Sequence, residues 1–204
     1  MDSTLIDAEC IDELARAAGV LDKVAGITEK AMNGEIDYSG ALTERVHLLK
    51  GLELNVATDA LDRISLMPGA KELMSHVKSL GYRTAMLSGG FTLASDRIGK
   101  LLNMDYVFSN ELIVEDGCLT GEVIGPMTED RSKEIVFEQL SKENGVEPEE
   151  CIVVGDGAND ICLFERSGYG IAFNPKPILR KYADVFITQK DLTAVIPVID
   201  SLER

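Results

Sequence analysis

Four short clusters in this chain combine residue types that could handle a phosphate group. Ser88-Gly89-Gly90 follows an apolar run ending at Leu87 and offers a hydroxyl beside unobstructed backbone N–H groups. At a strand end leading into a helix N-terminus, such a stretch cradles an anion. Gly155-Asp156-Gly157-Ala158-Asn159-Asp160 follows a second apolar run ending at Val154. It puts several oxygen ligands on one loop, as a hard divalent cation such as Mg²⁺ requires. Lys133, near the start of a helical stretch, would supply a cation, and Asp2-Ser3-Thr4 opens the chain with a carboxylate and two hydroxyls. Each cluster also has a plainer reading: a glycine turn at 88–90, a helix cap for Asp156 or Asn159, a solvated surface charge for Lys133. The combination decides between the readings, because anion cradle, cation and carboxylate cage all belong at the carboxyl edge of one sheet.

The elements that would position these clusters follow from periodicity. Ile11, Leu14, Ala15 and Ala18 recur at helical spacing and stop at Gly19; Val24, Ile27, Ala31 and Met32 stop at Gly34. Leu42, Val46 and Leu49 end at Gly51, and a last stripe holds Val56, Ala57, Ala60, Leu61 and Ile64. The spacing predicts a small bundle of amphipathic helices with no strand between them. From Pro68 the pattern changes. A helix through Leu80 precedes an apolar strand over Tyr82–Leu87, a helix over 91–103 and a strand-like Tyr106–Phe108. Leu112–Val114 and Leu119–Ile124 flank Glu115-Asp116-Gly117, a hairpin signal. Helix 131–144, strand Cys151–Val154, helix 159–167, strand 169–173, helix 176–182, strand 184–187 and helix 191–202 complete the pattern. Strands alternating with helices predict a Rossmann-like α/β fold, a parallel sheet with helices on both faces.

Composition narrows the function classes. The chain has 204 residues, 45% of them apolar and 27% charged, enough for one well-buried domain with an appendage. Its 35 acids against 20 Lys and Arg leave a net charge of −15, which speaks against nucleic-acid binding, where a basic stripe is needed to displace counterions. No apolar run approaches the roughly 18–20 residues of a membrane span, and the N-terminus lacks the regions of a signal peptide. A soluble, cytoplasmic protein is expected. Cys10, Cys118, Cys151 and Cys162 show no paired spacing, and His47 and His76 lie far apart with no cysteine beside them, so neither disulfides nor zinc is expected.

Asp-Ser-Thr-Leu at 2–5, Ser-Gly-Gly-Phe at 88–91, Lys133 and the 155–160 loop resemble, in order and spacing, the motifs of haloacid-dehalogenase-type phosphatases. Glu9, Glu44-Arg45-Val46, Leu119-Thr120-Gly121 and Asn174-Pro175-Lys176-Pro177 add resemblance to the phosphoserine phosphatases of that superfamily. The resemblance implies an α/β core of residues 1–9 and 67–204 under a helical cap of residues 10–66. It implies a general acid/base at Asp2, whose carbonyl would also bind Mg²⁺, with the Asp156 side chain as a second ligand. Ser88 and Gly89 would bind phosphate and Lys133 neutralise it. Asn159 would touch the phosphate or the metal shell, and Asp160 would support the loop. Glu9 and Arg45 would hold the ammonium and carboxylate of O-phosphoserine. Arg suits bidentate carboxylate recognition. Mg²⁺ is the expected cofactor, the substrate a small molecule, and the assembly a monomer or homodimer.

One feature departs from the family pattern. The motif there is Asp-x-Asp, with the first Asp as the nucleophile that becomes an aspartyl-phosphate; here Met1 occupies x. The apolar strand that delivers the nucleophile, central to the sheet between the strands ending near Leu87 and Val154, is missing as well. Backbone groups left unpaired on both neighbours would cost ~1–3 kcal/mol each if buried, against a net stability of ~5–15 kcal/mol. The favoured expectation is a start assigned at an internal methionine. Its rivals are an inactive remnant and a phospho-amino-acid binding protein; as an enzyme, the alternative to hydrolysis is phosphotransfer from phosphoserine to another alcohol such as homoserine.

Overall fold

In the computed structural model, which describes residues 1–203, the chain starts with an irregular turn held by one acceptor. The Met1 carbonyl takes the amides of Thr4, Leu5 and Ile6. Ile6 bridges Leu66, and the Met67 amide donates to Leu5 at 2.8 Å, so the chain leaves and returns at one point. Between lie α1 (Cys10–Ala17), α2 (Leu21–Met32), α3 (Tyr38–His47) and α4 (Leu54–Asp62). Leu14 and Ala15, Leu42 and Val46, and Ala57 and Leu61 point inward, as their spacing predicts. The stripe on α2 is narrower than its sequence suggests. Val24 alone is buried there and Met32 is 74% exposed, because α2 packs against α1 and α3 from outside.

The remainder alternates: α5 (Ala70–Ser79), β1 (Ala85–Phe91), α6 (Thr92–Leu101), β2 (Tyr106–Glu115), β3 (Cys118–Ile124), α7 (Ser132–Asn144), β4 (Ile152–Gly155), α8 (Ile161–Phe164), β5 (Tyr169–Phe173), β6 (Val185–Ile187) and α9 (Ile196–Leu202). The fold is mixed α/β, and its strands form two sheets where a single parallel one was expected. The first has the order β1-β2-β3, parallel then antiparallel; the second, β4-β5-β6, is all parallel. β1 and β4 are both edge strands and face each other across a cleft. Among the described residues, no segment lies between them to pair with both.

Other departures are local. Ser88-Gly89-Gly90 does not follow the strand but runs inside β1, because pairing resumes at Phe91↔Asn110 after a register shift past Leu87. The three strand-like pieces from Tyr106 to Ile124 are one long hairpin. The expected helices at 159–167, 176–182 and 191–202 shorten into 3-10 turns at Ala158–Asp160, Leu179–Tyr182 and Leu192–Val195, with α8 and α9 attached to the first and last. Pro197 starts α9 in its first turn, where the missing N–H costs nothing. His76 is half-buried, not a plain surface residue: its Nε2 lies 2.7 Å from Asp200 and ties α5 to α9. The cysteines are free thiols, and no helix of the described residues is long and apolar enough to cross a membrane.

Candidate active site

The carboxyl ends of β1 and β4 open at one mouth of the cleft, and the Met1–Thr4 turn lies beside it. Asp2, Ser88, Gly89, Lys133, Asp156, Asn159 and Asp160 all line this one cavity of about 590 Å³. Sequence positions more than 150 residues apart thus meet: β1 and β4 carry two of the polar clusters, α7 carries Lys133, and the N-terminal turn carries Asp2.

The Lys133–Asp160 pair is the most heavily constrained part. Lys133 Nζ donates to Asp160 Oδ1 at 2.6 Å, with both side chains only about a tenth exposed (11% and 9%). Asp160 Oδ2 accepts the amides of Asp156 at 3.1 Å and Gly157 at 3.4 Å. Position 155 must be glycine for this, since a Cβ there would collide with the Asp160 carboxylate. Burial works against both charges, but each outweighs it for the other: Lys133 is held above its ordinary pKa and Asp160 below. The loop's free amides are therefore served by Asp160. Asp156 is not spent as a helix cap.

Asp156 is buried and poorly partnered. Its Oδ1 accepts from Thr4 Oγ1 at a long 3.4 Å, and the nearest ammonium, Lys176 Nζ, is 3.9 Å from Oδ2. Burial first, then the Asp160 charge, push its pKa up. The Asp2 carbonyl accepts no hydrogen bond from the described residues. These two under-used oxygens fit a Mg²⁺ ion, which takes one or two protein ligands and keeps several waters. They do not make an all-protein cage: among the described residues no three His, Cys, Asp or Glu side chains converge as metal ligands.

Asp2 has a different environment. Cys10 donates to it twice, from Sγ to Oδ1 at 3.2 Å and from the first amide of α1 to Oδ2 at 3.3 Å. Burial pushes the carboxyl up to about 6, with the Met1 ammonium opposing, Glu9 adding and the Cys10 bonds opposing. Burial and the Asp2 charge in turn push the Cys10 thiol up, so it remains a donor. On β1, Ser88 Oγ accepts the Gly90 amide at 3.0 Å, leaving its own hydrogen to donate.

Glu9 and Arg45 do not line the cavity. Glu9 accepts from Ser3 Oγ at 2.7 Å, with Ser3 in the left-handed region at φ +54°. Arg45 donates its Nε to Ala41 in its own helix at 3.0 Å and makes no ion pair among the described residues. Burial lowers its pKa against the pull of Tyr38, Asp12 and Glu9. Arg45 is thus a half-buried guanidinium near Asp12 and Glu9 without an ion pair to either.

Three residues escape motif reading. Asn110, fully buried, exchanges bonds with both backbone groups of Met127 (2.9 and 3.1 Å) and donates to the Gly89 carbonyl at 3.3 Å. Tyr38 donates its hydroxyl to the same Met127 carbonyl at 3.0 Å, joining α3 to the loop after β3, and it sits so close that a Cβ at Gly89 would strike it. The third is Cys10. None had a sequence signal: Asn110 lies in the polar Ser109-Asn110-Glu111 stretch between two apolar runs.

Comparison with known proteins agrees with this geometry. The family described as haloacid dehalogenase-like hydrolase matches residues 1–165. A phosphoserine phosphatase of Archaeoglobus fulgidus is 47% identical over 199 residues, 98% of this chain; the chain spans 58% of that relative's length. A phosphoserine phosphatase of Methanocaldococcus jannaschii is 43% identical over 97% of this chain and 94% of its own. A solved structure of a phospho-aspartyl intermediate analogue of phosphoserine phosphatase superposes with a TM-score of 0.92 at 42% identity, covering 97% of this chain and 95% of that one.

Proposed function

The chain belongs to the haloacid dehalogenase-like hydrolases, among their phosphoserine phosphatases, and from that premise we propose that it hydrolyses O-phosphoserine to serine and phosphate through an aspartyl-phosphate, with Mg²⁺ as cofactor. The observation that carries this reading is the convergence of Asp2, Ser88, Lys133 and Asp156 at one cleft mouth. In this reading residues 10–66 are the cap over a core of 1–9 and 67–204, which is one Rossmann-like sheet when a strand lies between β1 and β4. Serine biosynthesis in the cytoplasm is the corresponding role, consistent with an acidic chain and free thiols.

Each residue's task follows from its surroundings. Arg45 pairs with the substrate carboxylate and Glu9 with its ammonium, orienting the phosphate toward β1. The Ser88 hydroxyl and Gly89 amide bind phosphoryl oxygens, and Lys133, locked by Asp160, neutralises them without reorganising. A carboxylate at the mouth attacks phosphorus while the P–O bond to serine breaks, and Asp2 gives its proton to the departing serine oxygen. Asp2 then takes a proton from water, whose oxygen attacks phosphorus, and the P–O bond to the carboxylate breaks to release phosphate. Mg²⁺ would be held by the Asp156 carboxylate and the Asp2 carbonyl, and would supply charge neutralisation when bound. α1–α4 exclude bulk water during transfer.

The attacking carboxylate decides the test. Asp2, Asp156 and Asp160 are each committed elsewhere. The 204-residue chain is expected to bind phosphoserine with little turnover. The same chain with an apolar segment ending in Asp placed ahead of Met1 should hydrolyse it with Mg²⁺, and Asn in place of that Asp should abolish turnover. Robust hydrolysis by the 204-residue chain itself would show the nucleophile to be misplaced.

A further inference from the structure

The peptide between Gly89 and Gly90 has no local reason to take one orientation. Neither neighbour carries a Cβ, so its plane turns over at little steric cost. In the structure it is pinned from both sides. The Gly90 N–H donates to Ser88 Oγ at 3.0 Å, and the Gly89 carbonyl, which points the opposite way across the trans peptide, accepts from Asn110 Nδ2 at 3.3 Å. A flip would break both bonds at once. It would also release the Ser88 oxygen from the acceptor role that leaves its own hydrogen free to donate.

Asn110 is fully buried on β2, where pairing with β1 resumes opposite Phe91. Its Nδ2 also donates to the Met127 carbonyl at 3.1 Å, and its Oδ1 accepts the Met127 amide at 2.9 Å, so both donor hydrogens are in use. Met127, itself buried, lies in the loop between β3 and α7, the helix that carries Lys133. That loop passes Asn110 so tightly that Gly125, at φ +138°, has no room for a Cβ beside the Asn110 Cα and Oδ1. The Met127 carbonyl takes a second donor, the hydroxyl of Tyr38, the first residue of α3. One side chain thus joins β1, the loop into α7 and, one bond further, α3. An apolar residue at 110 would keep the strand pairing but take these partners from the Gly89 carbonyl and the Met127 amide. Buried polar networks with every member satisfied are rigid, and costly to break.

We propose that Asn110 is the positioning residue of the phosphate-binding turn: it sets the peptide between Gly89 and Gly90 so that Ser88 and Gly89 present their donors, and through Met127 it keys that turn to the seating of α3 by Tyr38. This role rests on the reading of Ser88 and Gly89 as phosphate ligands. Asn110 itself touches no substrate and acts only through the backbone it holds.

Two measurements on the 204-residue protein test this: amide hydrogen exchange without ligand, and titration with inorganic phosphate. Asn110→Asp keeps the shape and the acceptor for the Met127 amide, but removes both donors and sets a carboxylate against the Gly89 carbonyl. Exchange should quicken about tenfold or more at Gly90 and stay slow at Met127, while phosphate binds about tenfold more weakly. Tyr38→Phe loses only the hydroxyl and serves if the first variant does not fold. It should move both readings the same way by about threefold, since one hydrogen bond of three at the junction is lost. Ile98→Val loosens the buried face of α6 away from the junction and should leave phosphate affinity unchanged. Gly90 exchange at the parent rate in a folded variant would overturn the role of Asn110. So would phosphate affinity unchanged by a quickened Gly90, or lost equally in Ile98→Val, which would make Asn110 a general stability residue. A parent protein that binds no phosphate would instead overturn the phosphate reading of Ser88 and Gly89, with exchange still deciding whether Asn110 sets the peptide.

Discussion

The Lys133–Asp160 region and the Glu9–Arg45 region both carry buried or half-buried charge, yet they are built on opposite principles. In the first, every charge is answered within the protein: a 2.6 Å ion pair, two backbone amides on the same carboxylate, and a glycine that makes room for it. In the second, Arg45 has one bond to its own helix and faces Asp12 and Glu9 without an ion pair. The contrast separates two jobs. A group that stabilises developing charge works best when its position costs nothing at the moment of reaction. A group that selects a ligand works best when the ligand supplies the missing partner, because an analogue lacking it leaves buried charge unpaired.

Mutations at the two regions should therefore fail differently, and the largest effect belongs to the closed one. Lys133→Ala leaves the Asp160 carboxylate buried without its cation and should cost about 3–5 kcal/mol in stability, read by denaturant unfolding, together with phosphate binding. Unchanged stability would erase the distinction between the regions. Arg45→Ala should instead leave the unfolding midpoint nearly intact while phosphoserine affinity falls about 10–100-fold, the worth of a charged hydrogen bond at ~1.5–3 kcal/mol. Inorganic phosphate, which has no carboxylate, should bind as before; equal loss on both would make Arg45 a structural residue.

Asp156 tests the boundary between the two designs, being buried like Asp160 but open like Arg45. Asp156→Asn keeps an acceptor for Thr4 and removes a carboxylate whose pKa burial and Asp160 have raised. The fold should be no less stable, while Mg²⁺ no longer raises the melting temperature. Retained Mg²⁺ stabilisation would remove Asp156 as a ligand.

The smallest effect lies at the outer end of β1, away from both regions. Asp105 accepts the Thr84 amide at 2.8 Å and hydroxyl at 2.9 Å, and its pKa is lowered by that backbone bond first, with Lys78 adding to it. A carboxyl depressed in the folded state stabilises it above the unfolded pKa and loses that contribution as pH falls through the folded one. Asp105→Asn should cost about 1 kcal/mol at neutral pH, a modest figure because the group is exposed. The gap from the parent should close on acidification below the carboxylate range. A gap constant with pH would assign the effect to the bond geometry alone.

Two of the polar clusters were legible because each sits beside an apolar run that predicts its own strand, as with Val153-Val154 before Gly155-Asp156. Helix starts and stops near Gly19, Gly34 and Gly51 were legible for the same local reason. Asn110 was not, since its value lies in bonds to Gly89 and Met127, 21 and 17 residues away. Nor was the role of Cys10 against Asp2, which depends on α1 beginning where the N-terminal turn delivers a carboxylate.

Sequence alone thus determined which residues are chemically capable, the helices α1 to α4 and the alternation of helix and strand that follows, all of them consequences of near-neighbour pattern. Tertiary structure alone decided that Lys133 pairs with Asp160, that Arg45 is left without an ion pair, and that β1 and β4 face a cleft instead of each other. Pairing and burial join residues far apart in the chain, and no local periodicity encodes which strand edge a buried backbone group will meet.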